Sequence, residues 1–404
     1  MRKTLWNKDF ILMLQGSAVS AVGDLMYGVA IGYWVYEKTG SSALMGIMSS
    51  ISMFVTMFLS PFAGSVVDKC NRKWLIVLVD ALQGLLMLAV GALAYLDRLN
   101  VPGVLAVALL AAFGNVFYSP AVSTLMIDII PEHDMVRGRS LHSGIHSMIN
   151  LVGSAFSGAM VAFFGVPLIV VINGLSNLYS AVTELFVRVP RTAQQGMPVT
   201  VKSVLQDTAT AIRSIFADPF MRLFVPGVLI INLLVSGAFS LMLPFCLEKD
   251  FTLDMYGYLM SVETAASLVA VLVLGVVKLT PRIRFWAMGS SFVVSVAIWC
   301  VAFLTKNFAV LCVCMFLGGA LNMVGNTVFN ASLMLALPEE NRGAILGFIS
   351  AACTGGVALS AVIFGALGEF FPLHLVFLVG TLLSLLPTVY VCFHKRTKAF
   401  MLEH

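Results

Sequence analysis

The stretch Gly64-Ser65-Val66-Val67-Asp68-Lys69-Cys70-Asn71-Arg72-Lys73 lies between two long apolar segments and places five charged or amide residues in its last six positions. An ionised side chain held in hydrocarbon costs a few kcal/mol even on the more lenient insertion scale. The knot of charge therefore predicts a short loop at a membrane face, and the runs on either side of it predict spans.

Composition agrees. Hydrophobic residues make up 59% of the 404 and charged residues 11%, with a mean hydropathy of +0.97. A soluble domain carries about 25% charged residues, so a soluble fold of this length would lack a polar skin. A spanning helix needs about 20 apolar residues. Apolar runs fall at about 10–36, 42–67, 74–96, 101–127, 141–164 and 166–187, and again at about 223–247, 255–279, 284–304, 307–336, 344–367 and 371–393. The expectation is an all-α integral membrane protein of twelve spans: an N-terminal six-helix bundle over 1–188, a linker over 189–221 and a C-terminal six-helix bundle over 222–404. Within the linker, Val201, Val204, Leu205, Ile212, Ile215 and Phe216 recur at helical spacing, which predicts an amphipathic helix lying on the membrane surface.

Basic residues are distributed asymmetrically. With the N-terminus inside, twenty of the twenty-four Lys and Arg fall on the inner side, and only Lys38, Arg98, Lys249 and Lys306 fall outside. The positive-inside rule then puts both termini and the linker in the cytoplasm of a multi-pass plasma-membrane protein. Arg2, Lys3 and Lys8 precede the first run without an Ala-x-Ala site, which reads as a retained first helix and not a signal peptide. Six of the seven cysteines lie in or beside apolar runs, with neither metal-ligand spacing nor a disulfide framework. No Gly-x4-Gly-Lys-Ser/Thr loop is present, so ATP is not expected to be the direct energy source.

The halves repeat one another. Asn115 and Asn322 each stand sixteen residues before a Pro-Glu pair, at Pro131-Glu132 and Pro338-Glu339, and an Arg-Gly follows each, at Arg137-Gly138 and Arg342-Gly343. The next run in each half carries a ladder of small residues. Gly144, Gly153 and Ser157 are matched by Gly347, Gly356 and Ser360 at the same spacing, and Gly158 adds a further small residue in the first half. These glycines are expected to pack helices closely.

With that spacing, the Gly64–Lys73 stretch closely resembles the loop between helices 2 and 3 of the major facilitator superfamily of secondary transporters. Gly23-Asp24, Thr39-Gly40-Ser41-Ser42, Ser119-Pro120-Ala121 and Ile130-Pro131-Glu132 are similar to the bacterial macrolide-efflux-type branch. The resemblance implies two pseudo-symmetric bundles rocking about a central cavity, with the loop bracing the halves and its Asp facing helix 11. It implies a small-molecule substrate, no cofactor beyond a coupling ion (a proton, with Na+ as the alternative) and no nucleic-acid partner. The protein is expected to act as a monomer in the bilayer and not as an enzyme.

Gly64, Asp68, Lys69, Arg72, Lys73 and Asp128 form the expected cytoplasmic gate. The second half supplies an internal control: Leu279, Ile283 and Leu335 stand opposite Asp68, Arg72 and Asp128. Three charges that are lost together read as one unit. Asp24 and Glu263 are the expected proton-coupling groups, each placed deep in its run with no Lys or Arg within four residues. Expected cavity residues are Tyr27, Tyr33, Trp34, Asn115, Tyr118, Asn150, Asn232, Asn322 and Asn326. Asp80 is expected at the lock, and Glu184 at the interface. The activity implied is efflux of amphiphilic or lipophilic small molecules in exchange for protons. Import of a sugar, peptide or iron-chelate, lipid flipping, or a sensing or scaffolding role are the alternatives.

Overall fold

The computed structural model describes residues 5–131, 134–188, 213, 217, 220–276, 280–336 and 342–403. The expected surface helix of the linker and the Pro338-Glu339 pair lie outside the described residues, as do the side chains of Gly64, Asp68, Lys69 and Gly347. Among the described residues there is no strand. The helices are α1 (Lys8–Thr39), α2 (Ser42–Lys69), α3 (Arg72–Tyr95), α4 (Val101–Ile129), α5 (Met135–Leu185), α6 (Met221–Ser240), α7 (Met242–Glu248), α8 (Leu253–Val276), α9 (Pro281–Leu304), α10 (Phe308–Ala336), α11 (Arg342–Gly368), α12 (Leu373–Phe393) and α13 (Lys395–Glu403).

Eleven segments among the described residues are long and apolar enough to cross a bilayer. The remaining expected pass, 141–164, falls on the first arm of α5, which continues directly into the second arm. No polar loop separates the two arms. The helix is instead broken at Gly165, whose φ of 73° and ψ of 160° leave the helical region, and Pro167 follows without an N–H to donate. The break reverses the chain. A Cβ on Gly153 would lie 3.4 Å from the Leu25 side chain, whereas Asn177 donates to Asp24 at 3.3 Å. A straight helix would hold residues 153 and 177 about 36 Å apart, yet both reach adjacent residues of α1. The expected run at 223–247 is also divided, at Leu241, into α6 and the short α7.

The chain divides into two compact units: Met1–Gly40 with Phe54–Val201 and Leu253–Tyr258, and Ser41–Met53 with Lys202–Thr252 and Leu259–His404. The first start of α8 thus belongs with the first unit, and the first turns of α2 with the second. The first core gathers Phe10, Met13, Ile76, Leu125 and Ile129. The second is aromatic, with Phe224 stacked on Phe329 at 4.0 Å and Phe220 on Phe400 at 3.9 Å.

The sequence repeat reappears as repeated packing within each unit. Gly153 of α5 faces Leu25 of α1, and Gly356 of α11 faces α6, where a Cβ on it would lie 3.6 Å from the Leu229 carbonyl oxygen. A Cβ on Gly158 would strike the Leu253 carbonyl, and one on Gly46 would strike the Ala361 carbonyl. Positions 158 and 361 are the next step of the same ladder. Gly144 departs from the expectation: among the described residues, a Cβ there would meet nothing within 4 Å, so it shows no close helix packing. Ser360 replaces a rung of α6, its hydroxyl donating to the Leu233 carbonyl at 2.7 Å and accepting from the Gly237 N–H at 2.7 Å. With the backbone groups satisfied in this way, a helix can bend inside a membrane.

Candidate functional site

The charged knot is more helical than its composition suggests. α2 runs through Lys69, and the Cys70 N–H still donates to the Val66 carbonyl at 3.0 Å. Asn71 then caps α3, its side chain accepting from the Trp74 N–H at 3.3 Å. The expected loop shrinks to Cys70-Asn71 because one cap residue suffices to start the next helix. Arg72 therefore sits at the positive end of α3, and Asp128 near the negative end of α4, each opposed by its own helix dipole. They neutralise one another: Arg72 Nη1 donates to Asp128 Oδ2 at 2.8 Å, with side chains 18% and 14% exposed. Lys73 Nζ donates to the Leu185 carbonyl at 2.7 Å, a favourable place for a cation at the end of α5. Both contacts lie within the first unit.

The second unit encloses a cavity of about 700 Å3. Its walls come from α6 and α8–α12, and they bring together three of the expected cavity asparagines and one of the expected carboxylates: Asn232, Asn322, Asn326 and Glu263. Asn326 Nδ2 donates to Asn322 Oδ1 at 2.9 Å and to the Asn322 carbonyl at 3.0 Å. Asn232 donates to the Val228 carbonyl at 3.0 Å and accepts from Ser236 at 3.2 Å. These amides line the cavity while bonded within their own helices; they do not stitch one helix to the next. The Glu263 carboxylate has no ion pair among the described residues. Trp299 and Thr388 also contribute to the wall, but their Nε1 and Oγ1 are buried out of reach of the cavity and without a partner among the described residues. Phe239 meets Trp299 edge-on at 4.7 Å. The result is a largely apolar, aromatic pocket with one carboxyl in its wall, a composition suited to organic ligands.

The other expected cavity residues lie in the first unit. Asn115 is taken up by Gln83, which donates to it and to the Ala111 carbonyl at 3.0 Å, joining α3 to α4. Tyr118 donates to Glu184 at 3.1 Å. The Tyr27 hydroxyl is buried without a partner. Tyr33 reaches Glu37 at 3.5 Å, Trp34 is half-buried and Asn150 is exposed. Asp24 is held by Asn177.

Two further acidic residues are buried. Asp80 and Glu184 are 3% and 0% exposed; Glu184 lies one residue from the end of α5, and Asp80 packs towards Ser180, Asp24 and Tyr118 rather than the Arg72 contact. Among the described residues no group of three or more His, Cys, Asp or Glu is placed to hold a metal ion.

At the far end of the second unit, the start of α2 is tied to α11. Ser42 donates to the Gly365 carbonyl at 2.8 Å and Ser50 to the Ala358 carbonyl at 2.9 Å. Glu369 accepts from the Ala43 N–H at 2.9 Å and from the Ser41 hydroxyl at 2.6 Å. These donors, the Ala43 N–H foremost, hold the exposed Glu369 carboxyl below the usual carboxylate range.

Comparisons with known proteins converge on one family. The Major Facilitator Superfamily model matches residues 13–288 and 227–399. Macrolide efflux protein A of Streptococcus pyogenes is 23% identical over 186 residues, and that alignment spans 46% of each protein, about half the length of the relative. Multidrug efflux pump Tap of Mycolicibacterium fortuitum is 22% identical over 406 residues, covering 96% of both. Among solved structures, nucleoside transporter NupG superposes with a TM-score of 0.74 at 13% identity, over 94% of this chain and 98% of that one. A bacterial homologue of the lysosomal transporter Spinster gives 0.71 at 14% identity, over 98% and 95%. Eleven apolar spans, a doubled helical pattern and a model match across most of the length lead to the same conclusion: the chain belongs to the Major Facilitator Superfamily of membrane transporters.

Proposed function

We propose that this protein is a proton-coupled exporter of amphiphilic or lipophilic small molecules, working by alternating access in the plasma membrane with both termini in the cytoplasm. The observation that carries this reading is the cavity of about 700 Å3 with Glu263 in its wall. Aromatic and aliphatic side chains would take an apolar body, and a carboxyl without an ion pair among the described residues suits either a cationic head group or a proton. The names of the two efflux relatives support the direction of transport. Arg72 and Asp128, with Asp68 close by in sequence, would form the cytoplasmic gate.

The test is transport in proteoliposomes under an imposed pH gradient, with a lipophilic cation and a neutral macrolide as solutes. Gradient-driven movement of at least one solute, lost in Glu263→Gln, is expected. No response to the gradient with either solute removes the exporter reading.

A further inference from the structure

A second polar centre lies in the first unit, away from the cavity. Asp80 on α3 and Glu184 on the second arm of α5 are buried, and each keeps one oxygen, Oδ2 and Oε2, without a hydrogen-bond partner. Tyr118 of α4 engages only the other oxygen of Glu184, at 3.1 Å. Ser180, one turn before Glu184 and 0% exposed, stands beside both carboxyls, and its hydroxyl oxygen is also without a partner. The remaining ionisable neighbour is Asp24 of α1, another acid, which acts on Asp80 and is held by Asn177. The nearest cations along the chain are Arg188, exposed and four residues beyond Glu184, and Lys73, seven residues before Asp80 and engaged on the Leu185 carbonyl. Among the described residues no Lys, Arg or His forms an ion pair with Asp24, Asp80 or Glu184.

Burying one uncompensated anion costs several kcal/mol even after relaxation, and two facing anions cost more than twice that, since they also repel. We propose that Asp80, Glu184 and Ser180 form a proton-holding site in which the two carboxyls share at least one exchangeable proton. Ser180 supplies what a carboxyl pair lacks, a group that donates to the ionised partner and accepts from the protonated one. Tyr118 fixes one oxygen of Glu184 and leaves the other for the proton. Glu184 is the penultimate residue of α5, so its proton has a short route to the aqueous face bearing Arg72. Loading transfers one proton from water to a carboxylate, and unloading returns it. That this proton drives transport rests on the exporter reading; that the site holds it does not.

The test is infrared difference spectroscopy of the purified full-length protein, titrated in H2O and D2O, comparing wild type with Asp80→Asn, Glu184→Gln and Ser180→Ala. The wild type is expected to show a protonated-carboxyl C=O band, downshifted in D2O, that is lost in Asp80→Asn or Glu184→Gln and displaced in Ser180→Ala. Ser180→Ala removes no carboxyl, so it remains informative if an acid variant fails to fold. A band unchanged in all three variants overturns the proposal. So does a band abolished by NaCl but not by choline chloride, which would make the occupant sodium. In proteoliposomes, gradient-driven transport should fall to background in Glu184→Gln. If the wild type moves neither test solute while the band behaves as described, the exporter reading fails and the proton site stands.

Discussion

The Arg72–Asp128 pair lends itself to a quantitative test. At an effective dielectric of about 20, two charges about 4 Å apart attract by about 4 kcal/mol. Desolvation and the ordering of a long side chain take back about half. Exposed pairs contribute about 0–1 kcal/mol, and breaking a fully buried pair costs about 3–5. At 18% and 14% exposure this pair lies nearer the buried limit. A double-mutant cycle of Arg72→Ala, Asp128→Ala and the double variant, read by unfolding in mixed micelles, should give a coupling of about 2 kcal/mol. The geometry adds a sharper condition. Each charge sits at the wrong end of its own helix, so the swapped pair, Arg72→Asp with Asp128→Arg, turns both dipole terms favourable. It should be at least as stable as the wild type, with a gain of about 0.5 kcal/mol for each end. Yet it should lose transport if the gate needs a cation at position 72. A coupling below about 0.5 kcal/mol would reduce the pair to an ordinary surface contact, and full transport by the swapped variant would show that the sign of charge at position 72 is immaterial to the gate.

Two further predictions follow from close approaches elsewhere. Gly158→Leu sets a side chain against the Leu253 carbonyl, which cannot give way as a flexible side chain would; transport should be abolished while membrane insertion, followed by fractionation, stays normal, and an active variant would show that the contact is dispensable. Glu369→Gln should lower the melting temperature near neutral pH by weakening the tie to α2. Because the folded-state pKa of Glu369 is depressed, its contribution is present above the unfolded value of about 4.3 and fades as pH falls through the lower folded value. The gap between wild type and variant should therefore close in acid; a gap that stays constant would mean that the carboxylate charge contributes nothing.

The spans were legible because an apolar run of about 20 residues has few other uses, and the glycine ladder because its spacing recurs in both halves. Asn322 and Asn326 could be placed together from their step of four, although whether they faced a cavity or a neighbouring helix was open. The reversal at Gly165 was legible as the boundary between the runs 141–164 and 166–187, although the chain makes it with one glycine and no polar residue. The Asp80–Glu184 centre was not legible. Each acid alone looks like a residue near a helix end, and residues 104 positions apart share a site only through the packing of α3, α4 and α5. Ser180 and Tyr118 gave no lead to it, because a serine and a tyrosine in apolar helices are too common to single out.

The asparagines of the second-unit cavity carry a consequence for selectivity. Asn322, Asn326 and Asn232 already spend much of their hydrogen-bonding capacity within their own helices. A pocket whose polar groups depend on the ligand rejects any analogue lacking the matching group, because it would strand them. A pocket whose amides are contented beforehand imposes little such penalty. Across a chemical series, affinity should then vary little as hydroxyls and amines are added or removed from a ligand, and steeply with its girth and hydrophobic area. A tolerant specificity of this kind would follow from asparagines that bond to their own helices, with no need for a flexible wall.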